Sequence, residues 1–439
     1  MTSIKRNVNE RIVFDPIGME GWKDYYKDLL TEKRTEWKNV TYDRVVEQQV
    51  EKVTVDEVKT ALKGMKNNRS PGPGGIPIEL VKYAPEILLE NLANLFTKCM
   101  ENVKTPMDWK VGYRNSVYKK GSKQDCNNYR GISVLASVGR LYGRIMKKRI
   151  ENEMEEEEEQ SSFRSGRSCI DNIFSLKLLM EKKLAHGREM HMLFVDLKKA
   201  YDSIPLNKLW EAMEKGNISG NLINIVKEMY AGYTCCIKIG KEISEEFNVN
   251  KGLRQGCCIS PTLFKIYIGK ALNIWSKKCR SMGVQIGEDN VHTLLFADDQ
   301  IVLAEDRDDI EYMTRKLLEE YRRWGLEINL GKTEYMVAGG EGSNLVIDDD
   351  VIKHTKEYKY LGVLITSDNR DDKDIREKTN KGRIITRQLS SILWNKDIKG
   401  KTKKRIFETM VESCTTYGAE TWVLNKRMLQ RVSATEMNY

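Results

Sequence analysis

Three aspartates stand where short apolar segments end or are interrupted. Asp298 and Asp299 lie within Leu294–Leu303, and Asp196 follows Met192–Val195 about a hundred residues earlier. Apolar runs of this length predict buried strands, and a carboxylate at the end of such a strand is costly unless a cation neutralises it. Two aspartates at a hairpin tip and a third at a neighbouring strand end would hold a pair of Mg²⁺ ions. Such ions bridge triphosphate oxygens and activate an attacking hydroxyl, so the pattern indicates nucleotidyl transfer.

The segments around these aspartates alternate short strands with helices. From Met192 the predicted order is a strand (192–196), helices (207–230), a hairpin (about 234–249), a helix (about 260–278), the aspartate hairpin (about 292–304) and a helix (309–324). This order predicts an α+β fold with helices packed on one face of a sheet. Upstream, the pattern predicts a helix from the capping residues Thr54–Glu57 and a basic hairpin around 117–132.

The composition agrees with a globular chain that binds a polyanion. The 439 residues exceed one ordinary domain and predict two or three lobes, and 40% of the residues are hydrophobic. Lys and Arg exceed Asp and Glu, which gives a net charge of +9. This excess suits a nucleic-acid partner, although a solvated basic surface would explain it equally well.

The cysteines and the apolar runs bear on the compartment. The nine cysteines show no C-x-x-C spacing and there are only four histidines, which argues against a zinc site. The adjacent pair Cys257 and Cys258 suits a reducing compartment. No apolar stretch follows Met1, and no run approaches the roughly 20 apolar residues of a membrane helix. We therefore expect an intracellular protein of the nucleus or cytoplasm, without a membrane partner.

Short motifs recur in a fixed order along the chain. Around the aspartates they are Phe194–Ser203, Gly252–Pro261 and Ala297–Asp299; upstream they are Ser70–Pro73, Tyr118–Gly121, Asn128–Ile132 and Phe163–Ser168; downstream they are Gly325–Asn329, Lys332–Thr333, Tyr360–Val363 and Tyr417–Trp422. In this order they resemble the reverse transcriptases of non-long-terminal-repeat (non-LTR) retrotransposons. The resemblance covers about residues 55 to 425.

The resemblance implies a right-hand polymerase fold with an antiparallel palm sheet backed by helices. Residues 51–190 would form the fingers, 191–365 the palm with the catalytic core, and 366–439 a basic helical thumb that is truncated. Residues 1–50 would be an upstream linker. Relatives also encode an endonuclease, which we would expect elsewhere in a parent polyprotein.

The resemblance assigns the metal and sugar contacts. Asp196, Asp298 and Asp299 would be catalytic and would hold two Mg²⁺ ions, and carboxylate sites accept Mn²⁺ as well. Tyr201 matches the aromatic gate whose ring would clash with a ribose 2′-hydroxyl; the alternative is a core tyrosine. Asp202 would bond backbone at the strand–helix corner or support the metal shell.

Further residues would bind the nucleotide. Arg254, Gln255 and Gly256 would approach the incoming nucleotide and the template, with Gly256 leaving room for the backbone. Lys119 or Lys120, together with Arg130, would clamp the triphosphate, unless these charges are merely solvated. Lys332 would either protonate the leaving pyrophosphate or only lie nearby.

The implied activity is RNA-directed DNA synthesis, which uses an RNA template, a DNA primer and dNTPs. The alternatives are a catalytically inactive relic or domesticated RNA-binding protein, and an RNA-templated RNA polymerase, which Tyr201 disfavours. The sequence departs from its relatives at four positions: Gly74 replaces their usual aspartate, Ser116 a proline, Ser162 a glycine and Lys265 an asparagine.

Overall fold

The computed structural model describes residues 15–37, 50–155, 159–164 and 166–436. Within these ranges the chain mixes helices and sheets, as the sequence predicts. The predicted linker over residues 1–50 falls partly outside the described residues, and so does one position of the Phe163–Ser168 motif.

Helices make up the larger share of the regular structure. They are α1 (Met19–Leu29), α2 (Val55–Lys63), α3 (Ile78–Lys82), α4 (Glu86–Glu101), α5 (Ser137–Glu153), α6 (Cys169–Ala185), α7 (Ala200–Ser203), α8 (Leu206–Lys215), α9 (Gly220–Tyr230), α10 (Ser260–Lys278), α11 (Arg307–Arg323), α12 (Asp372–Gln388), α13 (Ser390–Leu393), α14 (Gly400–Phe407), α15 (Ser413–Thr415) and α16 (Lys426–Glu436). Within the described ranges, none of them combines the length and apolar character needed to cross a bilayer.

The strands of the described residues are short and fall into four sheets. They are β1 (Val111–Tyr118), β2 (Tyr129–Leu135), β3 (Met190–Val195), β4 (Thr234–Ile239), β5 (Glu242–Ile243), β6 (Phe247–Asn248), β7 (Val284–Ile286), β8 (Asp289–Val291), β9 (Thr293–Phe296), β10 (Asp299–Ala304), β11 (Glu334–Ala338), β12 (Leu345–Ile347), β13 (Asp350–His354), β14 (Glu357–Tyr360) and β15 (Val363–Thr366). The predicted hairpins and helices around the aspartates are confirmed, with ends shifted by a few residues.

The chain divides into two compact units. The described residues of the first unit fall within 1–157, 198–273 and 321–326, and those of the second within 158–197, 274–320 and 327–439. These units do not coincide with the predicted fingers, palm and thumb. Helix α6, which the sequence places in the fingers, belongs to the second unit together with the strands around the aspartates. The three domain boundaries therefore stay a prediction.

The second unit is built on a six-stranded sheet in the order β12-β13-β11-β3-β10-β9. The central strand β3 pairs antiparallel with β10 and β11, while β11 and β13 run parallel. Every residue of β3 is buried, as expected for a strand that is covered on both faces. Side chains of α6 such as Ile173 and Met180 pack with Phe194 and Ile301 in the core of this unit. The predicted antiparallel sheet backed by a helix is thus confirmed, with one parallel pair.

The first unit contains a sheet in the order β2-β1-β4-β5, with β6 paired to β4. The basic hairpin β1–β2 is antiparallel, and β1 runs parallel to β4. The predicted capping box of α2 is present, because the Glu57 N–H donates to Thr54 Oγ1 (3.2 Å) and the Thr54 N–H donates to Glu57 Oε2 (2.9 Å).

Helix α1 lies within the predicted linker and packs against β4 and β6 of the first unit. Its side chains Trp22 and Tyr26 are 0% and 1% exposed. The Trp22 indole N–H donates to Asp15 Oδ2 (2.9 Å), which closes the start of the helix. The aromatic face of this helix is buried against the sheet, so these residues belong to the folded unit, and the boundary of an upstream linker stays a prediction.

Candidate active site

Asp196 stands directly after β3, and its backbone is fixed by the loop before β11. Its N–H donates to Thr333 Oγ1 (3.2 Å), and its carbonyl oxygen accepts from the Asn329 N–H (2.7 Å). The side chain is 37% exposed. Two hydrogen bonds thus hold the backbone while the carboxylate reaches solvent at the end of a fully buried strand.

Asp298 and Asp299 lie at the tip of the β9–β10 hairpin, as the sequence predicts. Ala297 and Asp298 form the turn, in which Ala297 has a φ of 58°, and Asp299 opens β10 opposite Phe296. Both aspartates are exposed. The register between β10 and β3 pairs Gln300 with Val195, so the next position along each strand brings Asp299 beside Asp196. Residues directly opposite each other on two antiparallel strands have Cα atoms about 4.5–5.5 Å apart.

Gln160 clamps the turn that carries Asp298. This buried side chain accepts from the Ala297 N–H at Oε1 (3.2 Å) and donates from Nε2 to the Ala297 carbonyl (3.4 Å). Its Oε1 also accepts from the hydroxyl of Ser162 (2.7 Å). Ser162, the serine at the position of the relatives' glycine, therefore has its hydroxyl hydrogen-bonded inside the second unit. Sequence reasoning missed Gln160, because its partner lies 137 residues away.

Tyr358 lies near both strand-end carboxylates. Its ring stacks on Phe194 with centroids 4.1 Å apart. Burial, with smaller contributions from the charges of Asp299 and Asp196, raises the pKa of Tyr358 to about 12. Because the charges of both carboxylates act on the same phenol, Asp196 and Asp299 face a common region. This agrees with the pairing of β10 with β3, which places the two residues side by side.

The carboxylates fit a divalent metal of the kind that also binds substrate. Within the described ranges, no group of three or more His, Cys, Asp or Glu side chains converges on one point that could hold an ion. Mg²⁺, however, is usually bound by one or two carboxylates together with waters and substrate phosphates. Asp196 and Asp299 provide two hard oxygen donors, and Asp298 provides a third on the adjacent turn.

Lys332 lies beside this group of carboxylates. Its Nζ is 3.8 Å from Asp196 Oδ2, and the lysine side chain is 68% exposed. The Lys332 N–H donates to the Asn329 carbonyl (2.9 Å), so the same loop that fixes the Asp196 backbone also fixes Lys332. The structure thus brings four of the predicted residues together in the second unit: Asp196, Asp298, Asp299 and Lys332.

The remaining predicted residues belong to the first unit. Tyr201 lies on α7 and is half-buried, and its ring stacks on Phe264 with centroids 4.5 Å apart and planes 10° apart. Stacking on a fully buried phenylalanine fixes the plane of the tyrosine ring. An aromatic gate needs a ring of fixed orientation, and Phe264 supplies the support.

Arg254, which the sequence predicts to approach the nucleotide and template, is a buried residue. Its side chain is 4% exposed, and its guanidinium lies 4.2 Å from the ring centroid of Tyr230 and 4.0 Å from that of Tyr233. It also donates to the Met229 carbonyl. Two rings and a carbonyl thus enclose the guanidinium within the unit, and the contact of Arg254 with the nucleotide or template stays a prediction.

Gln255 and Gly256 border the same segment. The Gln255 side chain is half-buried and donates from Nε2 to Asp202 Oδ2 (2.8 Å). Gly256 has a φ of 99°, and a Cβ there would lie 2.8 Å from the Ser133 carbonyl oxygen. The glycine is therefore required for packing against β2, and its role near the nucleotide stays a prediction.

Asp202 also departs from its prediction. Its carboxylate accepts from Arg114 Nη2 (2.8 Å) and from the Gln255 amide, and it is 6% exposed. It therefore forms a buried ion pair instead of bonding backbone. Sequence reasoning missed Arg114 because an isolated arginine in a strand carries no signal that it is buried.

Lys119, Lys120 and Arg130 are exposed around one hairpin. Lys119 and Lys120 follow β1, and Arg130 pairs across the hairpin with Val117. The Lys119 N–H donates to the Asn128 carbonyl (2.9 Å), which closes the connection between the strands. Three cations within one hairpin could bind a polyphosphate.

The basic helix α12 belongs to the second unit and packs against α15 and α16. Lys378 is buried and its Nζ lies 2.6 Å from Asp374 Oδ2, so this lysine is not part of a basic surface. Arg376, Lys381 and Arg387 are exposed, and these residues present the charge that the sequence predicts for a nucleic-acid contact.

Many of these residues lie in a segment that matches a known protein family. The model of the family described as "Reverse transcriptase (RNA-dependent DNA polymerase)" matches residues 117–365. This range includes all three aspartates and the hairpin with Lys119, Lys120 and Arg130.

Three curated relatives are similar over most of the chain. The Transposon TX1 uncharacterized 149 kDa protein of Xenopus laevis is 26% identical over 72% of this chain, the Pol polyprotein from the type-2 retrotransposable element R2DM of Drosophila melanogaster is 24% identical over 69%, and the RNA-directed DNA polymerase from mobile element jockey of Drosophila funebris is 25% identical over 71%. The chain spans 24, 29 and 35% of their lengths. A solved telomerase from Candida Tropicalis, in complex with a fragment of telomeric RNA, is 14% identical with a TM-score of 0.46, covering 80% of this chain and 58% of that chain.

Proposed function

Because the chain belongs to the reverse transcriptase (RNA-dependent DNA polymerase) family, we propose that it is the RNA-directed DNA polymerase of a non-LTR retrotransposon. It extends a primer 3′-end along an RNA template with dNTPs and releases pyrophosphate. The observation that carries this proposal is the pair of neighbouring strand ends that present Asp196 and Asp299, with Asp298 on the same hairpin tip, inside the matched range.

The chain's own residues bind and orient the substrates. The hairpin with Lys119, Lys120 and Arg130 binds the triphosphate, because exposed cations on one hairpin can contact several phosphate oxygens at once. Tyr201, held by Phe264, excludes a ribose 2′-hydroxyl and so favours deoxynucleotides. The exposed basic residues of α12 contact the phosphates of the template–primer duplex, so binding weakens steeply with salt.

Reverse transcriptases generally use divalent metal ions. Asp196, Asp298 and Asp299 would hold Mg²⁺, which when bound supplies neutralising charge for the triphosphate and activation of the primer hydroxyl. The loop with Asn329 and Thr333 keeps Asp196 in place, and Gln160 keeps the turn before Asp299 in place. Most of the rate enhancement should come from this positioning and electrostatics, since phosphoryl transfer asks little covalent chemistry of the protein.

The direct test is primer extension by the purified chain on a primed RNA template with dNTPs and Mg²⁺ or Mn²⁺. We expect template-dependent DNA product that disappears when EDTA removes the divalent ions. Folded protein that binds the primed RNA but makes no product with either metal would refute the polymerase and favour an RNA-binding relic. Extension with ribonucleotides in preference to dNTPs would instead identify an RNA polymerase.

A further inference from the structure

Arg114, Ser133, Asp202 and Gln255 form a closed ring of hydrogen bonds within the first unit. Arg114 donates from Nη2 to Asp202 Oδ1 (2.8 Å), and Gln255 donates from Nε2 to Asp202 Oδ2 (2.8 Å). The Ser133 N–H donates to the Gln255 carbonyl (2.6 Å), and Arg114 Nη1 donates to Ser133 Oγ (3.0 Å). The ring therefore fixes both the side-chain amide and the backbone carbonyl of Gln255.

The charged half of this ring is buried. Arg114 is 1% exposed and Asp202 is 6% exposed. Burial lowers the pKa of Arg114, but the adjacent Asp202 carboxylate and weaker neighbouring groups together outweigh this effect and raise that pKa above its ordinary value. The ring of Tyr26 from α1 covers the guanidinium at 4.9 Å. A buried ion pair contributes little net stability, so its placement here points to a positioning role.

The ring is also fastened to the segment that carries Tyr201. The Leu253 N–H donates to the Tyr201 carbonyl (2.7 Å), and the Gly252 N–H donates to the Ile204 carbonyl (2.8 Å). Gly252 has a φ of 82°, and a Cβ there would lie 2.9 Å from the Asp202 backbone. The loop from Gly252 to Gln255 and the turn from Tyr201 to Ile204 are thus held together as one body.

We propose that Arg114 and Asp202 are a buried positioning pair that orients the Gln255 amide, and with it the segment of Tyr201, toward the incoming deoxynucleotide. Gln255 is the only half-buried member of a ring whose charged members are enclosed, so it is the member that a ligand can reach. This inference rests on the proposed function. It differs from a catalytic role, because Arg114 and Asp202 act through Gln255.

The first test compares dNTP titrations in primer extension. Arg114→Met/Asp202→Leu removes both charges together, since removing one alone would leave a buried charge unpaired. Gln255→Met removes the amide and keeps the side-chain length. We expect each of these two variants to raise the KM for dNTP about tenfold or more, the effect of losing one hydrogen bond to a charged group, with a smaller change in kcat. Because the pair acts through Gln255, the triple variant should raise KM no further.

A matched control is the buried pair Lys110 and Glu228 of the same unit. Its side chains are 8% and 14% exposed and lie 2.7 Å apart. Lys110→Met/Glu228→Leu should change the melting temperature about as much as the Arg114/Asp202 variant does, without raising the KM for dNTP. Equal KM effects in both pair variants, or multiplicative effects in the triple variant, would overturn the positioning role.

A second readout does not need polymerase activity. Amide hydrogen exchange of the segment from Gly252 to Gln255 should become at least about tenfold faster in Arg114→Met/Asp202→Leu, since the side-chain bonds of Gln255 to Asp202 and of Arg114 to Ser133 are lost. Exchange there should stay at the wild-type rate in the Lys110/Glu228 control. Unchanged exchange in the Arg114/Asp202 variant would refute the inference. If the wild-type chain makes no DNA, the proposed function fails while this measurement still decides whether the ring holds Gln255.

Discussion

The ammonium group of Lys332 lies 3.8 Å from a carboxylate oxygen of Asp196, at the end of a buried strand. Both side chains are partly exposed, so the pair contributes little to stability. We expect it to affect the rate of nucleotide incorporation instead. We expect Lys332→Met to slow incorporation roughly tenfold with an unchanged melting temperature, because a cation beside the reacting phosphates is lost.

The arginine variant separates the two roles that the sequence left open. Arginine keeps the charge but does not release its proton. If Lys332 acts by charge, as its contact with Asp196 suggests, Lys332→Arg should retain most of the single-turnover rate. A rate as low as that of Lys332→Met would show instead that Lys332 is the proton donor to pyrophosphate.

The stacking of Tyr201 on Phe264 predicts how sugar selection changes. Tyr201→Ala should lower the preference for dNTPs over ribonucleotides by roughly 10- to 100-fold, the range typical of one steric contact in a pocket. Phe264→Leu should lower it less, because the tyrosine ring remains but loses its support. The ratio of kcat/KM values for dNTP and ribonucleotide measures both effects. An unchanged ratio in Tyr201→Ala would contradict the gate.

The enclosed guanidinium of Arg254 predicts a loss of stability and no direct effect on nucleotide binding. Arg254→Ala should lower the free energy of unfolding by about 2 kcal/mol or more, because a desolvated cation between two rings is lost. Urea unfolding measures this. Arg130→Ala is the contrast: its side chain is exposed, so it should raise the KM for dNTP and leave stability unchanged. If Arg254→Ala instead raised the KM for dNTP and left stability unchanged, while Arg130→Ala lowered stability, Arg254 would belong to the nucleotide site.

Residues near the start of the chain should matter for folding. Trp22 is fully buried on α1, and Trp22→Ala should lower the free energy of unfolding by about 3–5 kcal/mol, the usual cost of removing a buried aromatic side chain. The exposed Asp24 on the same helix supplies the control variant Asp24→Ala, which should change it by about 0.5 kcal/mol or less. If Trp22→Ala were equally mild, the segment would behave as a linker after all.

The structural features that the sequence predicts correctly depend on local patterns. The aspartate hairpin is visible because apolar runs surround Asp298 and Asp299, and the capping box of α2 is visible because its residues are three apart. The errors concern side chains whose partners are distant. Arg114 and Asp202 are 88 residues apart, and no local pattern shows that either is buried.

Distant partners also surround Arg254 and the first helix. A charged residue in a Gly-rich motif suggests exposure, yet Tyr230 and Tyr233 enclose the guanidinium of Arg254. Helix α1 packs against β4 and β6, two strands that lie more than two hundred residues later in the chain. A sequence pattern shows which face of a helix or strand is apolar, but it does not show which other part of the chain packs on that face.

The most direct test of the central claim is single-nucleotide incorporation by Asp298→Asn/Asp299→Asn beside a matched variant of another aspartate turn. Asp348 and Asp349 lie at the tip of the β12–β13 hairpin, and Asp348 has a φ of 55°, close to the 58° of Ala297. Asp348→Asn/Asp349→Asn makes the same charge change in the same unit. We predict that the Asp298/Asp299 variant loses roughly 10³-fold or more in rate, since several kcal/mol of charge stabilisation disappears, and that the Asp348/Asp349 variant keeps the wild-type rate. Wild-type incorporation in the Asp298/Asp299 variant, or an equal loss in both, would contradict the assignment.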